Sequence, residues 1–322
     1  MVSVVICAYD TNRWELLRRA VGSVESQAVA AEILIVIDHN DELLNLSKKE
    51  WPHHLVVANR HSKGLSGARN TGVSESTRSI VAFLDDDAAA DSGWLAGLVS
   101  GFDGAEVGGV GGRVLPVWTS PAPGWFPPEF LWVVGCSYLG QPTTVAQIRN
   151  PIGANMAFRT AVFERTGGFR EEVGRIGALP LGCEETELSI RARRSGFSIW
   201  YRPDAIVRHV VPAERTTLRY LLRRSMAEGM SKAVVSAMAG REDGLSSERA
   251  YVRRTLPSGV RRGLTQGMLG PRRGDGFGQA AAIVGGVVAA TIGYVRGTVA
   301  HKRDRVQLQD GPALQFTRPR HA

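Results

Sequence analysis

Four short apolar runs, three of them ending in a knot of polar residues, occupy the first hundred positions and leave few folds open. Val2–Ala8, residues 32–38 (EILIVID), residues 55–59 and residues 79–84 (SIVAFL) have the length and β-branched content of buried strands. Helical spacing fills the gaps, with Trp14, Leu17, Ala20, Val21 and Val24 after the first run, then residues 67–76 and 92–102. Strands alternating with helices predict an α/β fold with a mostly parallel sheet covered on both faces. In such sheets ligands gather beyond the carboxyl ends of the strands. The polar knots Tyr9-Asp10, Asp38-His39-Asn40-Asp41 and Asp85-Asp86-Asp87 all fall there.

The remaining chain divides by composition. At 322 residues there is room for one large α/β domain and an appendage, or for two modest domains. Residues 116–128 (PVWTSPAPGWFPP) predict an ordered loop or insert, because so many prolines break regular structure. A shorter strand-and-helix region follows over 149–211, then long helices over 216–239 and 248–269 and an uncharged run over 276–295. The polar tail 306–322 is expected to be disordered. The expected units are therefore 1–212, a helical basic region 213–305, and the tail.

Charge sharpens this division. Of the net +8, residues 213–322 hold 19 Lys and Arg against 8 Asp and Glu, while the first 212 hold 20 against 23. Whatever the basic character attracts is met in the last third. Neither an aromatic-interleaved basic stripe nor zinc-finger spacing accompanies it, so an anionic membrane surface is expected and no nucleic acid. Residues 276–295 carry no charge over 20 positions, about the shortest spanning length, yet include five glycines and Gln279. A weak transmembrane or re-entrant helix, a helix lying in the interface and a buried helix all fit. Cys7, Cys136 and Cys183 share no paired spacing and read as reduced residues in a cytosolic setting. The first residues read as a strand rather than a signal peptide.

Three clusters carry chemistry. Asp85, Asp86 and Asp87 crowd like charges at a strand end, which a divalent cation such as Mg²⁺ or Mn²⁺ relieves while bridging to diphosphate oxygens; a solvated acidic turn is the bland alternative. KGLSGARN at 63–70 opens a helix with small residues followed by Arg69, a pattern suited to phosphate but equally to packing. Glu184-Glu185-Thr186-Glu187 supplies more acids than a helix start needs, so one carboxylate is a candidate general base. His209 closes a β-like run, and a lone histidine is more often structural than a ligand.

As an ordered set these residues resemble the inverting family 2 glycosyltransferases of the GT-A fold. The likeness rests on VSVVICAYD, EILIVID, KGLSGARNTG, VAFLDDDAAADSGWL, GANMAFRTAVFERTGGF and GCEETELSIRARRSGF, and covers residues 2–211. It implies a nucleotide-diphosphate-sugar donor, with a UDP-sugar favoured, and a Mn²⁺ or Mg²⁺ cofactor. Donor contacts are implied at Ala8, Tyr9, Asp38, Arg69, Asp85 and Asp86, and metal ligands at Asp87, Asp85 and His209. Glu185 matches the family's catalytic base; because the usual pair is Glu-Asp and here is Glu184-Glu185, Glu184 stays a second candidate. WFPPEFLWVVGCSYLG, RNPIGANM, EGMSKA at 228–233 and ATIGYVRG narrow the likeness to archaeal glucosyl-dolichyl phosphate glucuronosyltransferases and their bacterial relatives. That likeness implies a polyprenyl-linked or other glycan acceptor, with a hexuronic acid among the candidate sugars. Together with the uncharged run and its basic flanks it leads to an expected place at the cytoplasmic side of the cell membrane, peripheral or weakly anchored through the C-terminal region.

Two rivals share such a fold. A non-catalytic sugar-nucleotide-binding protein would not need the acidic triplet together with Glu184-Glu185. A nucleotidyltransferase would place a Gly- and basic-rich loop after the first strand, where this chain has Ala8-Tyr9-Asp10-Thr11-Asn12.

Overall fold

The computed structural model describes residues 2–171, 182–239 and 251–309. Strands β1 (Val2–Ala8), β2 (Ala31–Ile37), β3 (Leu55–Ala58) and β4 (Ile80–Asp85) form the parallel half of one sheet. Between them run α1 (Trp14–Glu25), α2 (Asp41–Glu50) and α3 (Leu65–Glu75). The other half is mixed. It contains β5 (Ala88–Ala90), β6 (Val107–Trp118), β7 (Ala146–Gln147), β8 (Asn155–Arg159) and β9 (Ser198–Val211), in the order β3-β2-β1-β4-β8-β6-β9-β5 with β7 on β9. Here β8 runs antiparallel to both β4 and β6, while β6 and β9 are parallel. The parallel sheet expected from the first hundred residues is thus the first half of a mixed one.

Strand alternation sorts the core. Val4, Ile6, Ile35 and Leu84 face α1 and α4 (Trp94–Ser100), burying Leu17, Val21 and Trp94. Val5, Leu34 and Phe83 face the opposite way, against Phe158, α5 (Thr160–Thr166) and Leu188 of α6 (Glu184–Arg194). This two-sided burial explains why the strands read as unbroken apolar runs.

Three helices complete the described chain: α7 (Leu218–Ala239), α8 (Leu256–Leu269) and α9 (Arg273–Gln309). They dock on the proline-rich insert, where Phe126, Phe130, Val133 and Val114 meet Leu221, Leu256 and Ile283. Glu129, fully buried, is held there by Arg262 at 2.9 Å. The insert is more regular than its prolines suggest. Pro116, Val117 and Trp118 extend β6, paired with His209, Val210 and Val211, because the neighbouring strand imposes the extended backbone. Of the helix expected over 248–269, residues 248–250 lie outside the described chain and Tyr251–Thr255 form a π turn. Of the tail expected to be disordered, 306–309 continue α9 and 310–322 lie outside the described residues. All three cysteines are free.

Candidate active site

The carboxyl ends of β1, β2 and β4 converge on a cleft of about 210 Å³, lined by Tyr9, Arg13, Asp38, Lys63 and the acidic triplet. Strand pairing builds its inner wall. Asp85 ends β4 opposite Cys7 of β1. Three residues on, β5 pairs with β9 in a register that sets Ala88 against His209, and the Val210 N–H donates to the Asp87 carbonyl at 2.9 Å. Residues more than 120 positions apart are therefore juxtaposed by backbone, and ligand atoms of Asp85, Asp87 and His209 lie within 4.8 Å of one another.

The charges are strongly interdependent. His209 Nε2 is 3.1 Å from Asp87 Oδ1, and Arg13 pairs with both Asp86, at 2.8 Å, and Asp87. Burial works against an ionised His209, but the Asp87 carboxylate overrides it and lifts the imidazole to about 10. Burial would likewise raise Asp87, yet His209 and Arg13 hold it well below the usual carboxylate range. For Asp86 burial prevails over Arg13, and with Asp87 and Asp85 repelling it the carboxyl rises to about 7.

A divalent cation fits this corner. Asp86 Oδ2 is buried without a hydrogen-bond partner, a costly state that a nearby cation relieves. Two carboxylates and an imidazole are also a donor set that Mn²⁺ accepts. The proton that Asp87 holds on His209 is the one a metal would displace.

A larger cavity, about 760 Å³, adjoins the first and shares Asp85, Leu65, Trp132, Gly135 and Arg224 with it. Its floor is the start of α6. Cys183, just before that helix, has φ of +80°, a left-handed conformation that costs a non-glycine residue on the order of 1 kcal/mol. The turn sends three acids in different directions. Glu187 clamps Arg191 and Arg170. Glu184 takes Arg69 Nη1 at 2.8 Å. Glu185 faces the cavity and forms no ion pair among the described residues. Burial and the neighbouring Glu184 carboxylate raise Glu185 to about 8, only partly offset by Arg69.

The predicted residues are brought together in two groups. Asp38, Tyr9, Asp86, Asp87 and His209 line the smaller cleft, Arg69, Glu184 and Glu185 the larger cavity, and Asp85 both. Ala8 lines neither; it is buried, and its carbonyl accepts the Asp38 N–H at 2.8 Å. The Asp38 carboxylate already accepts from Asn59 Nδ2, His39 Nδ1 and the Gly64 N–H at 2.7, 2.8 and 2.9 Å, so it shapes the loop at the mouth of α3. Arg69 packs over the rings of both Phe83 and Phe169, which meet edge to face, and bridges Glu184 to Asp85, 3.4 Å away.

Sequence reasoning missed Arg13, Arg215 and the α7 ladder Arg224-Glu228-Lys232. The ladder alone left a signal, an i, i+4, i+8 charge pattern through the EGMSKA segment. Glu228 is half-buried, held ionised by Lys232 and Arg224 against the cost of desolvation, and accepts from the Cys183 thiol at 3.4 Å.

Comparison with known proteins agrees with this geometry. Residues 3–167 match the family described as Glycosyl transferase family 2. The chain is 32% identical over 243 residues to glucosyl-dolichyl phosphate glucuronosyltransferase of Haloferax volcanii, covering 74% of this chain and 78% of that one. It is 23% identical over 313 residues to the succinoglycan biosynthesis protein ExoM of Rhizobium meliloti, covering 86% and 96%. Its fold matches the mannosyltransferase PcManGT from Pyrobaculum calidifontis, solved with GDP-Man and Mn²⁺, with a TM-score of 0.55 and 17% identity over 90% of this chain and 86% of the other.

Proposed function

The chain belongs to glycosyltransferase family 2, and from that premise we propose that it moves a sugar, with inversion, from a UDP-linked donor to a hydroxyl of a polyprenyl-linked saccharide. One observation carries the reading. The Asp85-Asp87-His209 corner and the cavity over Glu185 share a wall at Asp85, so a donor diphosphate and an acceptor hydroxyl can meet there.

Each residue then has a task. Asp87, Asp85 and His209 would hold a Mn²⁺ or Mg²⁺ ion, which when bound supplies positive charge to the departing diphosphate. Tyr9 and Lys63 line the same cleft, where the nucleotide would lie. Glu185 takes the acceptor proton as its oxygen attacks the anomeric carbon from the face opposite the diphosphate. Its raised pKa suits a base working near neutral pH. Glu184, occupied by Arg69, orients rather than reacts. Arg224, Lys232 and Arg254 bring cationic groups to the larger cavity, alongside Leu256, Val287 and Tyr251, a combination suited to a phosphate carried on an isoprenoid.

The likeness to the Haloferax enzyme favours a uronic acid as the transferred sugar and a dolichyl-phosphate-type acceptor. Residues 1–212 would form the catalytic unit and 213–305 the membrane-associating region at the cytoplasmic face. The test is transfer from UDP-glucuronate, UDP-glucose and GDP-mannose, with Mn²⁺, to a short-chain polyprenyl-phosphate hexose. A UDP-dependent product with inverted configuration is expected. A retained configuration, or no turnover with any of these donors, overturns the reading.

A further inference from the structure

The outer face of α9 is the largest feature that the transfer reaction leaves unexplained. We propose that α8 and α9 lie flat on an anionic bilayer, sinking the stripe Phe277, Val284, Val288, Ile292, Val295 and Val299 into its headgroup region, and that α9 does not cross the membrane. These six side chains are 41–56% exposed and recur at spacings of seven, four, four, three and four, so they share one helix face. The stripe is about 33 Å long at the rise of an α-helix. Next to its start, α8 adds Leu264, Met268 and Leu269, the last 82% exposed, and Gly267 packs directly against the Phe277 ring. Exposed Arg272 and Arg273 stand at one end and Arg296 near the other, which complements acidic headgroups on both sides of the apolar band.

Length and composition alone would let residues Arg273–Ala300 span a bilayer, but the packing opposes it. The inner face of α9 lies against α7 almost backbone to backbone. Gly229 meets the Ala290 carbonyl, Gly293 the Met226 carbonyl and Gly297 the backbone of Met230. Leu222, Met226 and Met230 of α7 meet Gly285, Gly293 and Gly297 of α9 in the same order, so the two helices run parallel along their shared length. Over that length α7 carries Arg223, Arg224, Glu228 and Lys232, and α8, packed on the other flank, carries Arg261 and Arg262. A spanning α9 would draw these charges into hydrocarbon. Further ties, from Gln279 Nε2 to the Gly124 carbonyl at 2.8 Å and from Arg262 to buried Glu129, pin the same helices to the segment that follows β6. Only the outer face is left for lipid. Because the half-buried Val287, Ala290 and Tyr294 line the acceptor cavity, docking this way brings that cavity to the bilayer surface.

Flotation of the purified full chain with phosphatidylcholine vesicles, with and without phosphatidylglycerol, tests this without any sugar transfer, so its outcome is separate from that of the proposed reaction. Wild type should float with the anionic vesicles, less in high salt, and be released by carbonate. The double variant Val288→Glu, Ile292→Glu should lose binding by at least about tenfold, since two apolar anchors become charges. It should keep the wild-type melting temperature. Leu264→Glu, Met268→Glu should weaken binding through the second helix. Oriented circular dichroism should report helices parallel to the membrane plane. Equal flotation of the first variant, carbonate-resistant insertion, or a wild-type dimer that ignores vesicles would each overturn the proposal.

Discussion

Replacing Glu184 and Glu185 in turn by glutamine separates the base from its neighbour. In the wild type Glu185 is raised to about 8 by burial and then by the Glu184 charge, so the fraction able to take a proton grows as pH rises towards that value. Activity should therefore show an acid limb, rising with pH and levelling above about 8. Glu184→Gln removes the second cause while its side-chain oxygen can still accept from Arg69, and Arg69 loses a competing carboxylate. Adjacent like charges at an effective dielectric near 20 repel by roughly 3 kcal/mol, equivalent to about two pKa units. Arg69 already offsets part of that repulsion, so the limb should move down by about one unit. The assay is kcat/KM against pH, from about pH 6 to 9, which reports the free enzyme. Glu185→Gln should instead lower transfer by ~100- to 10,000-fold and flatten the limb. The reasoning fails if Glu184→Gln is the dead variant and Glu185→Gln keeps a normal profile, or if the limb stays in place when Glu184 loses its charge.

Other consequences are measurable on the same material. Asp87→Ala should reduce transfer by ~100- to 1,000-fold with its circular dichroism unchanged, as expected when electrostatic help to a leaving group is removed. His209→Ala should shift the Mn²⁺ dependence of activity to higher concentrations, and EDTA should abolish activity until Mn²⁺ is restored. Glu185→Gln should also melt higher than the wild type. A carboxyl whose folded pKa lies above its unfolded value of 4.5 stabilises fully below that value and loses this contribution as pH rises to about 8, so the gap should open across that window and reach ~2–5 °C by pH 8. Gly293→Ala places a methyl group against the Met226 carbonyl and should cost about 1–3 kcal/mol, read as a lower Tm.

How far the sequence foretold the molecule depended on whether a signal was local. Strands β1 to β4 announced themselves by unbroken β-branched runs, because both sheet faces are buried, and their boundaries fall within a residue of the expected ones. The acidic triplet was legible for the same reason: like charges crowded at a strand end need an external partner. Long-range pairings had no such trace. Nothing near Arg69 reveals that it meets Glu184, 115 positions away, and nothing near Arg13 reveals Asp86. The prolines of residues 116–128 hid the end of β6, whose extended backbone comes from β9 rather than from local preference. Composition likewise left the run 276–295 undecided between crossing a membrane and lying on it. The charged helices packed along one side of it are visible only once the chain is folded.

The central claim is that the corner at Asp85, Asp87 and His209 takes a divalent ion that holds the donor's diphosphate. Calorimetric titration of UDP into the protein measures this directly. Binding should be tight with Mn²⁺, should weaken at least tenfold in EDTA, and should show no Mn²⁺ dependence in Asp87→Ala. UDP binding that is equally strong without metal, or undiminished in Asp87→Ala, would contradict it.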